Sequence, residues 1–257
     1  MDFSPVTIFL IALGTQLFRY ILFAGGAWLV FYVWKRRAWL RFRIQTAFPQ
    51  TSHIRHEIKH SLITFLVFSI IAIGTHGLRK LGYTQVYSDV SAYGIPYLIL
   101  SVFLQIFFHD TWFYWTHRLM HHKKLYRFMH LTHHHSTNPT PWAAFSFHWS
   151  EAIVEAMVLP VMLFLFPLHH WAILAFLLYM TLLNVFGHLG FEILPKNFTR
   201  HFLFKWHNTS VHHNMHHRYV NCNYGLYFNL WDRWMGTNHP HYLEEYDAVK
   251  SRAKTTT

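Results

Sequence analysis

Most of the chemistry legible in this chain lies between His109 and His148: HDTWFYWTHRLMHHKKLYRFMHLTHHHSTNPTPWAAFSFH. A second stretch, HNTSVHHNMHHRYVNCNYG, runs from His207 to Gly225. Of the 24 histidines, nine lie in 109–148 and nine in 188–241, so the imidazoles are concentrated in two places. His117 and His121 stand four apart; His130, His133 and His134 form an HxxHH triplet that His213, His216 and His217 repeat. Helical residues three and four apart share a face, so each triplet is expected to aim two or three imidazoles at one point. Histidine is the commonest metal ligand among side chains. A single triplet is as well explained by packing, and His-rich tracts can merely scavenge metal. Two triplets and an HxxxH, each near the end of an apolar segment, point to a multinuclear site.

The elements that must position these residues are read from composition and hydropathy. Hydrophobic residues make up 53% of the chain and charged residues 13%, against about a quarter charged in soluble domains. That is a membrane composition. The formal charge of +11 comes with no nucleic-acid motif, and no nucleic-acid partner is expected. The basic residues instead flank apolar runs, where they set orientation. The single cysteine, Cys222, excludes an internal disulfide and any Cys-rich zinc module. No basic stretch precedes the first apolar run, so no cleaved signal peptide is expected.

Apolar runs at about 5–34, 61–78, 95–116, 152–166 and 171–187 suit a hydrocarbon core of ~30 Å. They predict one all-α integral membrane domain over 1–257: a bundle of about four to five transmembrane helices. A His-rich helical cap, 117–150 and 188–242, would hold a dimetal site. Pro160, Pro167 and the pair His169-His170 divide the last two runs into a hairpin that need not cross fully. Arg19, inside the first run, is expected to face other helices or a cavity, with a packing or snorkelling role placed ahead of a functional one. His53, His56 and His60 are expected in a polar interfacial link. With both His regions on one side, that side holds 19 of the 22 Lys and Arg, and the positive-inside rule makes it cytoplasmic.

Structural zinc needs four closed ligands, and magnesium or calcium needs oxygen, for which eleven acidic residues are few. Nitrogen-rich sites suit iron, copper or zinc. His117, His121, His130, His133, His134, His188, His213, His216 and His217 are enough for two metals with open positions. Two redox-active irons beside lipid could activate O2 against an unreactive C–H bond. Asp110, at the lip of the third run, is placed to orient an imidazole through its ring N–H; a solvated interfacial Asp is the plain alternative. His122, His135 and His212, rotated about 100° from the ligand face, are expected behind the ligands or on the surface. Two other classes stay open. A metal-handling or transport protein would carry ionisable residues mid-membrane, and a hydrolase would need zinc and a general base.

The two quoted runs, with WDRWMGT at 231–237, resemble the fatty acid hydroxylase/sterol desaturase superfamily, most of all its sterol C5-desaturase branch. The resemblance covers about residues 105–242. It implies a membrane-embedded non-haem di-iron oxygenase using two iron ions, O2 and an external electron donor to oxidise a lipid C–H bond. The family's HxxxH box matches His117 and His121, and its HxxHH boxes match the two triplets. His188 sits where relatives carry a further ligand. His148 matches a motif histidine that is usually followed by Pro, where this chain has Trp149. Glu192, a turn after His188, is a candidate for handling protons or supporting a ligand. Asn223, Tyr224 and Asp232 are read as supporting residues. Hydroxylation is placed slightly ahead of C5-type desaturation. The lipid would enter sideways between the third, fourth and fifth runs, with Trp142, Phe145 and Phe147 as walls. The chain shows no dinucleotide fingerprint or fused haem or Fe–S motif. Electrons are therefore expected from a separate cytochrome b5-like or ferredoxin-like protein. The AKTTT ending lacks a dilysine signal, which favours a bacterial inner membrane over the endoplasmic reticulum of a eukaryote.

Overall fold

The computed structural model describes residues 3–255. Ser4 opens the first helix: its hydroxyl accepts the Thr7 amide, and Pro5 fills the first helical position, where no hydrogen bond is lost. Helix α1, Pro5–Trp34, loosens into π turns at Ile21–Gly25 and Leu29–Trp34. It is followed by α2 (Thr51–Lys80), α3 (Gly94–Met120), α4 (Trp149–Leu165) and α5 (His170–Gly187). Four of these, α1, α2, α3 and α5, are long and apolar enough to cross a membrane. Helix α4, at 17 residues, is slightly shorter.

The burial pattern is inverted relative to a soluble bundle. In the first part of α1, Pro5–Tyr20, the buried side chains are Gln16, Arg19 and Tyr20, with Ala24 and Tyr32 buried further along, while Val6, Leu10, Phe18 and Leu22 are exposed. On α2 the buried set is Glu57, Ser61, Thr64, Phe65 and Ser69. Apolar outside and polar inside is the arrangement a hydrocarbon solvent imposes. Ile106, Val158, Met162, Leu163 and Phe176 join α3, α4 and α5 in one core cluster. Tyr20, Phe65, Phe145, Phe147 and Val185 tie α1 and α2 to α5 in another.

Three expectations need correction. The second apolar run belongs to a helix that begins at Thr51, so His53, His56 and His60 lie in its opening turns and not in a link. Pro160 lies inside α4 without ending it; the break comes at Phe166, whose extended backbone stops the helix. The α4–α5 turn also reaches the far end of the bundle. There β2 (Leu168–His169) pairs in parallel with β1 (Val86–Tyr87) from the α2–α3 loop. At the other end the cap includes short helical turns, Tyr126–Met129 and Leu131–His134, and α6 (Ser210–Tyr219) and α7 (Tyr242–Thr255).

Candidate metal centre

Helix α3 delivers His117 in its last turn and His121 at its C-cap. His130 caps the turn that carries His133 and His134, and His188 caps α5. Helix α6 carries the rest. Its first eight residues, Ser210 to His217, are all buried, and Thr209 caps it by accepting the His212 amide at 3.2 Å. These segments bring nine imidazoles together in two buried groups: His117, His121, His130, His134 and His216 in one, His133, His188, His213 and His217 in the other. Within each group one ring nitrogen from each residue lies within 4.8 Å of those of all the others.

The triplets do not aim at one point, as the spacing had suggested. The pairs four apart stay together (117 with 121, 130 with 134, 213 with 217), whereas His133 and His216 cross to the other group. Adjacent helical residues point ~100° apart. Each HH dipeptide therefore feeds both groups and fixes their separation.

The ring tautomers follow from what the outer nitrogens touch. His117 Nδ1 lies 2.8 Å from the Tyr224 carbonyl, His133 Nδ1 3.3 Å from that of Ser146, His188 Nδ1 2.8 Å from that of Asn184, and His216 Nδ1 2.6 Å from that of Cys222. A carbonyl only accepts, so each Nδ1 carries the proton and each Nε2 presents a bare lone pair. Yet His133 Nε2 and His188 Nε2 face each other at 3.3 Å. No hydrogen bond can form between two lone pairs, and a shared cation resolves the clash. Protonation would not: burial, then neighbouring imidazoles, pushes His133 well below the usual imidazole range, and burial takes His188 down to about 4. Burial also lowers His121, His130, His213, His216 and His217, and takes His134 down to about 3. Both nitrogens of His121, and Nδ1 of His134 and His217, are buried without a protein partner. Nine neutral, inward-facing imidazoles fit two borderline-soft divalent metals and suit hard oxygen-seeking ions poorly.

The remaining sequence candidates lie elsewhere. His148 caps α4, its Nδ1 2.8 Å from Ser150 Oγ, and joins neither group. Asp110 accepts the amides of Tyr227 and Phe228 at 2.8 and 3.2 Å, so it clasps a loop and touches no imidazole. Glu192 accepts the Leu194 and Val211 amides at 3.1 and 3.0 Å, the latter at the start of α6; burial raises its carboxyl above the usual range. It holds a helix and not a metal ligand. His122 and His135 are exposed. His212 is buried, 3.1 Å from Asn238 Oδ1.

One partner escaped the sequence reading. Glu151, in the first turn of α4, has its Oε1 2.7 Å from His130 Nδ1. A carboxylate behind an imidazole fixes its orientation and raises its basicity. The signal was present, an acid just after the first His run, but nothing in helical spacing connects 151 with 130. The loop after α6 was equally hidden. Val220 has φ 68° and ψ −53°, and the Asn221 amide donates to Tyr219 O at 2.8 Å. Together these make a γ-turn of the strained hand. It turns the Cys222 and Tyr224 carbonyls onto His216 and His117. Asp232 secures them, accepting the Tyr224 and Gly225 amides at 2.9 and 2.7 Å and the Thr237 hydroxyl at 2.7 Å. A Cβ on Gly225 would fall 2.3 Å from Phe228 O, so only glycine fits.

Beside the centre lies a cavity of about 520 Å³. Phe145 and Phe147 line its near end, and Phe147 packs against the His133 ring with centroids 5.3 Å apart. Trp142 packs on Tyr20 and is not among the lining residues. The walls come from α1 and α2 as well as α3, α4 and α5, a wider enclosure than the three runs expected.

The sequence model of the fatty acid hydroxylase family matches residues 102–237, a span that contains all nine imidazoles. A Delta(7)-sterol 5(6)-desaturase of Gibberella zeae is 30% identical over 187 residues, covering 73% of this chain and 56% of the relative. Human lathosterol oxidase is 31% identical over 188 residues, covering 72% and 61%. A Delta(7)-sterol 5(6)-desaturase of Leptosphaeria maculans is 28% identical over 239 residues, covering 91% and 62%. The chain thus spans less than two thirds of the length of these curated relatives. No solved structure matches it. With its histidine pairs inside the matched segment and sterol desaturases at this identity, the chain belongs to the fatty acid hydroxylase family.

Proposed function

We propose that this protein is an O2-dependent non-haem di-iron oxidoreductase that introduces a double bond into a sterol-type lipid. The observation that carries the reading is the pair of buried imidazole groups at the near end of an apolar cavity. The relatives named for sterol desaturation favour desaturation over the hydroxylation that the sequence reading placed first. Neither the transporter nor the hydrolase class gains support: the imidazoles cluster at one end of the bundle and line no path through it.

Iron held by the nine imidazoles would supply the activation of O2. His117, His121, His130, His134 and His216 would hold one ion, and His133, His188, His213 and His217 the other. Glu151 and the carbonyls of Tyr224, Ser146, Asn184 and Cys222 keep the Nε2 lone pairs of His130, His117, His133, His188 and His216 inward. Asp110, Asp232 and Glu192 position the loops and the helix that bear these groups. Phe145, Phe147 and the apolar walls keep water from the reacting carbon and admit the hydrocarbon from the bilayer. Desaturation removes two hydrogens from the lipid and reduces O2 to two waters, which takes two further electrons and two protons. A separate cytochrome b5-like or ferredoxin-like protein supplies the electrons at the cap. We place the cap on the cytoplasmic side because the Lys and Arg concentrate there. The relatives above are fungal and human, so a bacterial source gains no support, and an endoplasmic reticulum membrane is the better reading.

The test is to incubate iron-loaded protein in membranes with 18O2, a reductant system and a lipid panel that includes lathosterol. Loss of two hydrogens without 18O in the lipid is expected. Incorporated 18O would make the protein a hydroxylase. Neither product, with a competent donor, would refute the oxidase reading.

A further inference from the structure

Basic side chains at a helix end are ordinary in a membrane protein, so the turn that follows α3 is set apart by what lies under it. Arg118, Lys123, Lys124 and Arg127 fall within a stretch, 118–127, that holds no acid. Lys123, Lys124 and Arg127 are exposed and Arg118 is half-buried, whereas the flanking acids, Asp110 and Glu151, are buried. The surface of this turn therefore carries positive charge alone. Arg118 lies in the last turn of α3, and a cation is costly in hydrocarbon. The loop beyond it stands in water, open to a soluble partner.

Beneath the turn, Tyr126 is half-buried and lays its ring against the five-imidazole group. Its centroid is 5.3 Å from that of His121, 5.7 Å from His134 and 6.4 Å from His130. His121 is the most exposed of the nine imidazoles, at 9%. The four-imidazole group has no such neighbour. Among the described residues its one aromatic contact outside the histidines is Phe147, on the cavity side. Electron tunnelling falls off exponentially with distance, so an electron arriving from water reaches the centre soonest where one ring spans surface and ligand. That place is Tyr126, and the charge around it is positive.

We propose that an acidic one-electron carrier protein docks on the turn from Arg118 to Arg127, and that its electron enters the five-imidazole group through the Tyr126 ring. Opposite charges steer such a partner to the face and fix its register. Each encounter oxidises the carrier by one electron and reduces the metal centre by one. No bond forms or breaks, and the ring is a bridge that keeps its own electrons. Two encounters supply the two electrons that desaturation takes. This rests on the reading of the centre as redox-active iron fed by a separate protein.

The test places iron-loaded protein in nanodiscs of uncharged phosphatidylcholine and offers two probes, the soluble haem domain of cytochrome b5 and an acidic plant-type ferredoxin. Binding is measured for both, and oxidation of the bound, reduced carrier is followed without O2 or lipid substrate. At least one carrier should bind, and more weakly as salt rises. Lys123→Glu combined with Lys124→Glu should raise its Kd about tenfold. Lys196→Glu, exposed in another segment of the cap, should leave Kd unchanged. Tyr126→Leu should leave Kd unchanged and slow electron transfer by a factor similar to that on Kd, while Tyr126→Phe, which keeps the ring, should not slow it. Iron content reports folding in every variant; if Tyr126→Leu loses iron, Tyr126→Met decides the route. Binding by neither carrier would overturn the proposal, as would a charge reversal without effect or one matched by Lys196→Glu. A loss seen only in discs that contain phosphatidylserine would assign the face to lipid headgroups instead. Undiminished electron transfer in Tyr126→Leu would overturn the route. Carrier binding and oxidation without any O2-dependent lipid product would leave this face standing and sink the lipid-oxidase reading. Lipid product with a chemical reductant but no carrier binding would do the reverse.

Discussion

An imidazole can ligate a metal only through a nitrogen that has no proton, and in this centre the groups behind the rings decide which nitrogen that is. Removing an inward imidazole should remove a ligand. His130→Ala, His134→Ala, His213→Ala and His217→Ala should each lower bound iron and abolish turnover while leaving membrane insertion intact. Full activity in any two of them would sink the ligand assignment. Glu151→Ala leaves all nine rings but frees His130 Nδ1; iron affinity should fall about 10- to 100-fold, read by chelator competition. Glu192→Gln separates support of a helix from support of a metal. Both its oxygens accept backbone amides, so an NH2 group would meet one N–H. Thermal stability should drop by about 1–3 kcal/mol with iron affinity unchanged, and a fall in affinity like that of Glu151→Ala would make Glu192 a support of the metal instead. The imidazoles also predict a pH dependence for the metal-free protein. Burial holds His188 at about 4 and His134 at about 3, below the ordinary 6.5. The unfolded chain therefore binds more protons than the folded one as pH falls through that value. Stability should be fully present above about pH 6.5 and decline below it. Melts of chelated protein at equal temperature on either side of that pH that superimpose would contradict the burial of neutral rings.

At the scale of elements, periodicity failed where the site is most demanding. Every residue of α6 from Ser210 to His217 is buried, yet in VHHNMHH the apolar signal is only the i,i+4 pair Val211 and Met215, which packs on Tyr242, Tyr246 and Val249 of α7. The rest of the helix is buried because its imidazoles face the other ligands and Glu192 receives its opening amide. The pairs four residues apart were legible, because spacing alone puts them on one face. Which residue of each HH dipeptide serves which group was not, since that depends on how three separate segments meet. Carbonyl partners were equally hidden, because every residue has a carbonyl and only the fold aims it. The γ-turn at Val220 can be tested directly. A β-branched residue at positive φ is strained by about 1–3 kcal/mol, and glycine accepts that geometry freely. Val220→Gly should raise thermal stability while the Cys222 and Tyr224 carbonyls keep their places, so iron content stays the same. A loss of iron would show that valine itself, and not the turn, holds the loop.

At the scale of the molecule, the inverted burial of α1 and α2 was partly foreseeable. The apolar runs and the charges between them were plain in the sequence, and four of the five expected segments are long and apolar enough to cross a membrane. The inward destination of Arg19 was legible as well, since a lone cation in an apolar run is expected to face other helices or a cavity, but its partners, Leu177 O and Thr181 Oγ1, were not. The role of the α4–α5 hairpin was also hidden: two prolines suggested an incomplete crossing, and the β1–β2 pairing brings its turn to the α2–α3 loop. The placement of all nine imidazoles at one end of the bundle has a consequence for topology. Odd and even crossings must alternate, so the loop after α3 and the segment after α5 share a side, and the α2–α3 loop lies opposite. Nineteen of the 22 Lys and Arg lie in the segments that this alternation puts on the imidazole side, and by the positive-inside rule we propose that this side is cytoplasmic. Single cysteines introduced for labelling at Lys124 and Lys254, in a protein whose Cys222 is replaced, should react with an impermeant reagent from the cytoplasmic side. One at Lys80 should react from the other. Labelling of Lys124 and Lys254 from opposite faces would break the bundle, because the two histidine regions could not then meet. Labelling of all three in reversed sense would keep the bundle and overturn only its orientation, and with it the supply of electrons from a cytoplasmic donor.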